Sequence, residues 1–181
     1  MRVIAGSARS IPLVAPRDRA TRPITDRVKE TLFGILGDRV IEASVLDLYA
    51  GSGAIGIEAL SRGAARATFV ERSRDGLAAI RSNLERTRLA ALASVHGEDV
   101  GRFLERGTEG RFDLVVLDPP YAEHAILAPL ERLGPHLAPD ATVVVKHFWR
   151  TPIPDVAGLE RWRERRFGET ALTFLDRVEE P

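Results

Sequence analysis

The stretch Val45-Leu46-Asp47-Leu48-Tyr49-Ala50-Gly51-Ser52-Gly53-Ala54-Ile55-Gly56 decides the reading of this chain. It sets the spacing G-x-G-x-x-G between a strand-like apolar run and a helix-forming one. Gly51 and Gly53 can adopt backbone angles closed to other residues and let a ligand approach the main chain, while Gly56 permits tight packing of helix on strand. Twenty positions after Gly51, Glu71 ends a second apolar run, Thr68-Phe69-Val70-Glu71. A carboxylate there can accept hydrogen bonds from both hydroxyls of a ribose.

The same alternation runs outward from this turn. Strands are predicted at Ser44–Tyr49, Ala67–Glu71, Ala93–His96, Phe112–Leu117 and Ala141–Phe148, with helices over Ala54–Arg62, Arg74–Arg88, Val100–Arg106 and Glu123–Leu133 between them. Apolar strands separated by helices of this size imply right-handed crossovers and a parallel sheet covered on both faces. The end of the chain differs, because Leu159–Phe167 and Thr170–Val178 flank Gly168-Glu169 as a β-hairpin would. The expected fold is therefore α/β, a doubly wound, Rossmann-like sheet that is mostly parallel with a C-terminal antiparallel hairpin. Upstream, Thr25 or Asp26 should cap a helix with Val28, Leu32, Ile35 and Leu36 on one face.

The chain has 181 residues and no cysteine, which excludes disulfide scaffolds, thiolate metal sites and cysteine nucleophiles. A content of 44% hydrophobic residues suits one domain with a single core. No apolar run approaches the ~20 residues of a membrane helix, so a soluble cytoplasmic protein without a membrane partner is expected. The 26 basic residues balance 26 acidic ones, yet Arg2, Arg9, Arg17, Arg19, Arg22, Arg27 and Lys29 face only Asp18 and Asp26 in residues 1–29. Such a basic arm suits phosphates as readily as solvent. Arginine supplies all cations but Lys29 and Lys146, so its abundance carries no argument by itself.

Two carboxylates bend the glycine turn away from a dinucleotide. Asp47 would repel a pyrophosphate but suits an ammonium group, and Asp99, in Gly97-Glu98-Asp99-Val100, can accept from an adenine amine or cap the next helix. With Glu71 they fit a cationic nucleoside, S-adenosylmethionine, better than a dianionic phosphate pair. A second motif, Asp118-Pro119-Pro120-Tyr121, follows the strand Phe112–Leu117 at its carboxyl end, where open parallel sheets bind ligands. The prolines hold an extended turn and remove competing N–H donors, leaving the Asp118 carboxylate, the Pro119 carbonyl and the face of Tyr121. An exocyclic amine is a poor nucleophile because its lone pair is delocalised. Two acceptors gripping its hydrogens favour pyramidalisation, and a stacked ring fixes its distance from a methyl donor. No metal is needed for this, and His96, His124, His136 and His147 show no metal spacing.

Asp47–Gly56, Glu71, Asp99 and Asp118–Tyr121, in that order, resemble class I S-adenosylmethionine-dependent N-methyltransferases. More narrowly the chain resembles the RsmD family, bacterial methyltransferases of 16S ribosomal RNA acting on guanine N2, through Arg22–Phe33, Leu46–Gly53 and Glu58–Ala64. The resemblance implies a seven-stranded sheet, S-adenosyl-L-methionine as donor, and a target guanine in 16S rRNA of the assembled 30S ribosomal subunit. It implies Asp118, Pro119, Pro120 and Tyr121 as catalytic residues. It places Asp47, Tyr49, Ala50, Gly51, Ser52, Gly53, Glu71, Arg72, Asp99 and Val100 at the cofactor. Arg2, Arg9, Arg17, Arg19, Arg22 and Arg27 would contact RNA, residues 1–24 forming the arm or loose hairpin and 25–181 the methyltransferase domain, working as a monomer. The chain departs from the family at Arg9-Ser10-Ile11-Pro12-Leu13, at Ser73 and at Lys146-His147, where an acidic residue is expected; those last two are assigned no role.

If the target lies in RNA it must be unpaired or flipped out to reach Tyr121. Deleting residues 1–20 is expected to abolish RNA methylation and spare cofactor binding; loss of both would make the arm structural. Trp149, Trp162 and Phe167 read as core or hairpin packing, and His124 as a loop residue. Other readings stay open: N-methylation of adenine or cytosine in DNA or other RNA, methylation of a protein glutamine, a non-catalytic RNA-binding protein, and a nicotinamide dehydrogenase. Leading Asp118 disfavours the glutamine enzymes, and the chain leaves no room for a separate DNA-recognition domain.

Overall fold

The computed structural model describes residues 1–16, 24–108, 110–119 and 124–178, the side chains of residues 124–127 excepted. Of the expectations above, those on Arg17, Arg19, Arg22, Pro120, Tyr121 and the His124 side chain lie outside the described residues. The elements run α1 (Asp26–Leu36), β1 (Ser44–Leu48), α2 (Ala54–Ser61), β2 (Arg66–Val70), α3 (Arg74–Thr87), β3 (Ala93–His96) and α4 (Val100–Arg106). They continue with β4 (Phe112–Leu117), α5 (His124–Glu131), β5 (Leu137–Phe148), β6 (Leu159–Phe167) and β7 (Thr170–Arg177).

Seven strands form one sheet in the order β3-β2-β1-β4-β5-β7-β6. β3, β2, β1, β4 and β5 pair in parallel, and β7 enters antiparallel between β5 and β6. The reversal of strand order lies between β1 and β4, which puts the ligand crevice at their carboxyl ends. This is the sheet expected from the alternation of apolar runs. Val45, Phe69, Val116, Val144, Leu172 and Phe174 pack on one face with Leu32, Phe33, Ile57 and Ile80. Leu46, Leu48, Val115, Val143, Val145 and Leu175 pack on the other with Phe103, Leu104 and Leu130. No helix among the described residues is long and apolar enough to cross a membrane.

Local chemistry explains the boundaries. Thr25 caps α1 by accepting from the Val28 N–H, and Ser73 caps α3 by accepting from Gly76, so the departure at Ser73 supplies a helix start. Three predicted strands lose their final residue, the last of them β7, which stops at Arg177. Tyr49 has φ +61°, which ends β1 and begins the glycine turn, and β2 stops at Val70. β5 begins four residues earlier than expected, with a register shift against β4 between Phe112 and Leu114.

The amino-terminal segment is built into the domain. Arg2 bridges Pro12, so residues 1–16 close on themselves as a hairpin, and Val3, Ala8 and Leu13 are buried in the core beside α1 and α2. Its anchor is Glu58, wholly buried, whose carboxylate accepts from the Ile4 and Ala5 N–H groups at 2.8 and 3.0 Å. The same carboxylate pairs with Lys29 at 3.3 Å and Arg62 at 2.8 Å, and Lys29 also donates to the Arg2 carbonyl. A buried carboxylate with this many donors is satisfied; without them it would be strongly unfavourable.

Candidate active site

The glycine turn takes its shape from three left-handed residues, Tyr49, Gly51 and Gly53, at φ +61°, +55° and +74°. Gly53 donates to the Ala50 carbonyl at 2.7 Å, and Ala50 donates to Val70, tying the turn to both β1 and β2. Gly56 is required by packing: a Cβ there would stand 2.4 Å from the Phe69 ring and 3.2 Å from Asp47 Oδ2. Glu71 braces the turn from the end of β2. Its Oε2 accepts from Gly51 N–H at 2.9 Å and its Oε1 from Ser73 N–H at 2.7 Å. A carboxylate has about four lone-pair sites, so these bonds leave capacity for ribose hydroxyls.

Asp47, on β1 beneath this turn, is 1% exposed. One oxygen accepts from Gly56 N–H at 2.9 Å. Burial pushes its pKa up to about 8, and the charges of Asp118 and Glu71 push in the same direction against the Gly56 bond. A pocket of three carboxylates with too little counter-charge is the environment that a cationic ligand would relieve. On its far side Asp99 caps α4, with Oδ1 accepting from Gly101 at 2.9 Å, and the adjacent Val100 is buried. Burial raises the Tyr49 pKa, the Asp99 charge adds to that, and exposed Arg72 opposes it. Ser52 is fixed through its carbonyl, which accepts from Asn83 at 2.9 Å, while the Asn83 side chain also exchanges two bonds with Val14 of the amino-terminal hairpin.

Asp118 follows β4 and is held to β1 by donating its N–H to the Leu48 carbonyl at 3.3 Å. Lys146 lies beside it, one step beyond the Leu117–Val145 pair of β4 and β5. Lys146 Nζ donates to both oxygens of Asp118, at 2.6 and 2.8 Å. The Asp118 side chain is 27% exposed and that of Lys146 is 7% exposed. Burial raises the Asp118 pKa, and the ammonium opposes that rise. Pro119 is buried behind it. The fold thus brings Asp47, Glu71, Asp99 and Asp118 to one edge around the glycine turn, as the spacing implies.

Lys146 is the residue that sequence reasoning left without a role. The signal was compositional: the chain has two lysines among 26 cations, and both sit in contact with a buried or half-buried carboxylate. A slim stem carrying a compact ammonium reaches such a place where a guanidinium fork does not fit. Its neighbour His147 is structural. Its ring bonds the Thr173 hydroxyl at 2.8 Å and its own strand at the Phe148 carbonyl, and burial lowers its pKa.

Of the arginines assigned to RNA, Arg2, Arg9 and Arg27 lie among the described residues. Arg2 pairs with Asp26 at 3.2 Å, while Arg9 and Arg27 are exposed. The hairpin that carries Arg2 and Arg9 contributes core side chains and contacts the glycine turn through Asn83. The expectation that deleting residues 1–20 spares cofactor binding is therefore corrected: removing these residues opens the core and leaves Glu58 and Lys29 short of partners.

Residues 1–176 match the model of the family described as Conserved hypothetical protein 95. The chain belongs to this family. Ribosomal RNA small subunit methyltransferase D of Escherichia coli is 33% identical over 180 residues, covering 98% of this chain and 90% of that protein. The solved structure of the Escherichia coli protein yhhF superimposes with a TM-score of 0.86 at 35% identity, covering 98% and 97% of the two chains. The fold alone extends further. An RNA methyltransferase from Salinibacter ruber, solved in complex with S-adenosyl-L-homocysteine, has a TM-score of 0.70 at 20% identity, over 88% of this chain and 96% of that one.

Proposed function

We propose that this protein is an S-adenosylmethionine-dependent ribosomal RNA methyltransferase that methylates the exocyclic N2 of a guanine in 16S rRNA, within the assembled small subunit. The observation that carries this reading is Asp118, a half-buried carboxylate at the carboxyl end of β4, standing next to the three-carboxylate glycine-turn pocket in a chain of this family. Bound S-adenosylmethionine supplies an electrophilic methyl group on a sulfonium.

Asp47 would pair with the ammonium of that ligand, and its burial makes the pairing strong because little water competes. Glu71 would hold the ribose hydroxyls, and Asp99 the adenine amine. Gly51 and Gly53 leave the main chain open to close approach. On the other side, Asp118 and the Pro119 carbonyl accept the two hydrogens of the guanine amine, and Tyr121 stacks on the base. Accepting both hydrogens returns the nitrogen lone pair towards the methyl group. Transfer of the methyl group would break its bond to sulfur, leaving the neutral thioether S-adenosylhomocysteine, and would put positive charge on the amine nitrogen; the Asp118 carboxylate, whose ionised form Lys146 favours, would stabilise that charge and accept the proton.

The test incubates the protein with radiolabelled S-adenosylmethionine and, separately, unmethylated 30S particles, naked 16S RNA and duplex DNA. Nucleoside mass spectrometry then identifies the product. N2-methylguanosine from the particles is expected; methyladenine or methylcytosine from DNA would keep the amine chemistry and overturn the substrate.

A further inference from the structure

The sheet order splits the crevice edge in two. The glycine turn, Glu71 and Asp99 follow β1, β2 and β3 on one side of Asp118, while β5, β7 and β6 lie on the other. β5 and β6 both run antiparallel to β7, so β6 ends at the same edge as β4 and β5. That end carries an ordered cationic cluster. Trp149, three residues and about 10 Å of extended chain beyond Lys146, donates its N–H to the Glu169 carbonyl in the β6–β7 turn at 3.0 Å. The Arg166 guanidinium carbon lies 3.5 Å from the indole centroid and that of Arg150 lies 4.7 Å from it.

Arg166 also donates from Nε to the Gly168 carbonyl at 2.8 Å. Among the described residues, no carboxylate lies within ion-pair distance of Arg150, Arg163, Arg165 or Arg166, although Glu169 occupies the turn itself. The other exposed cations of β6 and its surroundings are spent: Arg39 pairs with Asp176 and Arg161 lies 3.9 Å from Glu164. A guanidinium stacked on an aromatic face keeps its edge N–H donors outward, and holding it there removes rotamer freedom before any ligand arrives. Two such forks beside an acceptor site fit successive phosphates of one nucleic-acid strand.

We propose that Trp149, Arg150 and Arg166 form the clamp that grips the RNA backbone beside the target base. The proposal rests on the ribosomal RNA reading above. It moves the principal phosphate contact from the amino-terminal hairpin to the carboxyl-terminal one. Trp149 acts as the platform for the two guanidiniums rather than as a base stacker.

The experiment measures filter binding of an unmodified 16S transcript against salt, alongside S-adenosylmethionine affinity, thermal midpoint and methylation of 30S particles. The variant Arg150→Ala/Arg166→Ala should bind RNA at least about tenfold more weakly at 0.1 M salt, with the slope of log affinity against log salt shallower by about 1.4 for two lost single-strand phosphate contacts. Cofactor affinity and thermal midpoint should stay at wild-type values. Trp149→Ala keeps both charges, so it should weaken binding with most of the slope retained. The control Arg81→Ala/Arg102→Ala removes equal charge from exposed positions on α3 and α4 and should change the affinity little. Equal losses in both double variants, or no loss at the hairpin, would overturn the clamp while wild-type methylation still stood. A wild type that binds S-adenosylmethionine yet neither binds nor methylates RNA would overturn the underlying reading, and the clamp with it.

Discussion

Replacing Lys146 by methionine keeps the length of the side chain and removes the ammonium that Asp118 holds with both oxygens at 2.6 and 2.8 Å. Hydrogen bonds to charged groups are worth about 1.5–3 kcal/mol each, and breaking a fully buried pair costs about 3–5 kcal/mol. With the Asp118 side chain 27% exposed, water replaces part of the loss. The net loss is then about 2–3 kcal/mol, and without the ammonium the burial that already raises the Asp118 pKa acts unopposed, so that pKa rises further. The carboxylate is the form that accepts the amine hydrogens. The acidic limb of the single-turnover rate profile should therefore move to higher pH in Lys146→Met, and the lost rate should recover as the pH rises. Lys146→Arg should restore only part of it, because the planar fork does not fit the space of the ammonium. The assay is single-turnover methylation of 30S particles from pH 6 to 9.5, with S-adenosylmethionine affinity measured in parallel and expected to hold. An unmoved acidic limb in Lys146→Met would refute the role given to this residue.

Two further outcomes follow from the buried carboxylates. The folded pKa of Asp47, about 8, lies above its ordinary 3.8. Between those values the folded chain keeps a proton that the unfolded chain has released, so this group's contribution to stability is lost as pH rises through the window. Asp47→Asn should raise the thermal midpoint over wild type by more at pH 8 than at pH 5, and should abolish the strengthening of S-adenosylmethionine binding expected of wild type as pH rises towards 8. A gap in midpoint independent of pH would contradict the assignment. Glu58→Ala removes the counter-charge of Lys29 and Arg62 and the acceptor of two hairpin N–H groups, and should cost about 3–5 kcal/mol in urea unfolding; a loss under about 1 kcal/mol would show the hairpin to be dispensable. Removing residues 1–16 altogether should then abolish cofactor binding as well as methylation.

The period of the apolar runs was enough to locate the strands as far as β5, because parallel strands buried on both faces leave continuous hydrophobic segments separated by helices. The glycine spacing located the turn for a related reason: glycine takes φ +55° and +74° without the strain other residues bear there, and only glycine leaves room for the Phe69 ring at position 56. Asp47, Glu71, Asp99 and Asp118 were legible as ligand-facing because each lies in or just beyond the carboxyl end of an apolar run, and in a parallel sheet those ends share one edge. Tertiary structure decided what pairs with what across the sheet. Lys146 meets Asp118 only through the β4–β5 register, and Arg166 meets Trp149 only because β7 reverses between β5 and β6. The basic amino-terminal segment shows the same limit. Its charge was visible in the sequence, but its role in the core depends on Glu58, 53 and 54 residues away in the chain. Backbone periodicity and allowed torsion angles are local properties and can be read along a chain. Ion pairs and hydrogen bonds between distant residues are created by the packing itself, and here that packing determines which charges are spent within the fold and which remain for a ligand.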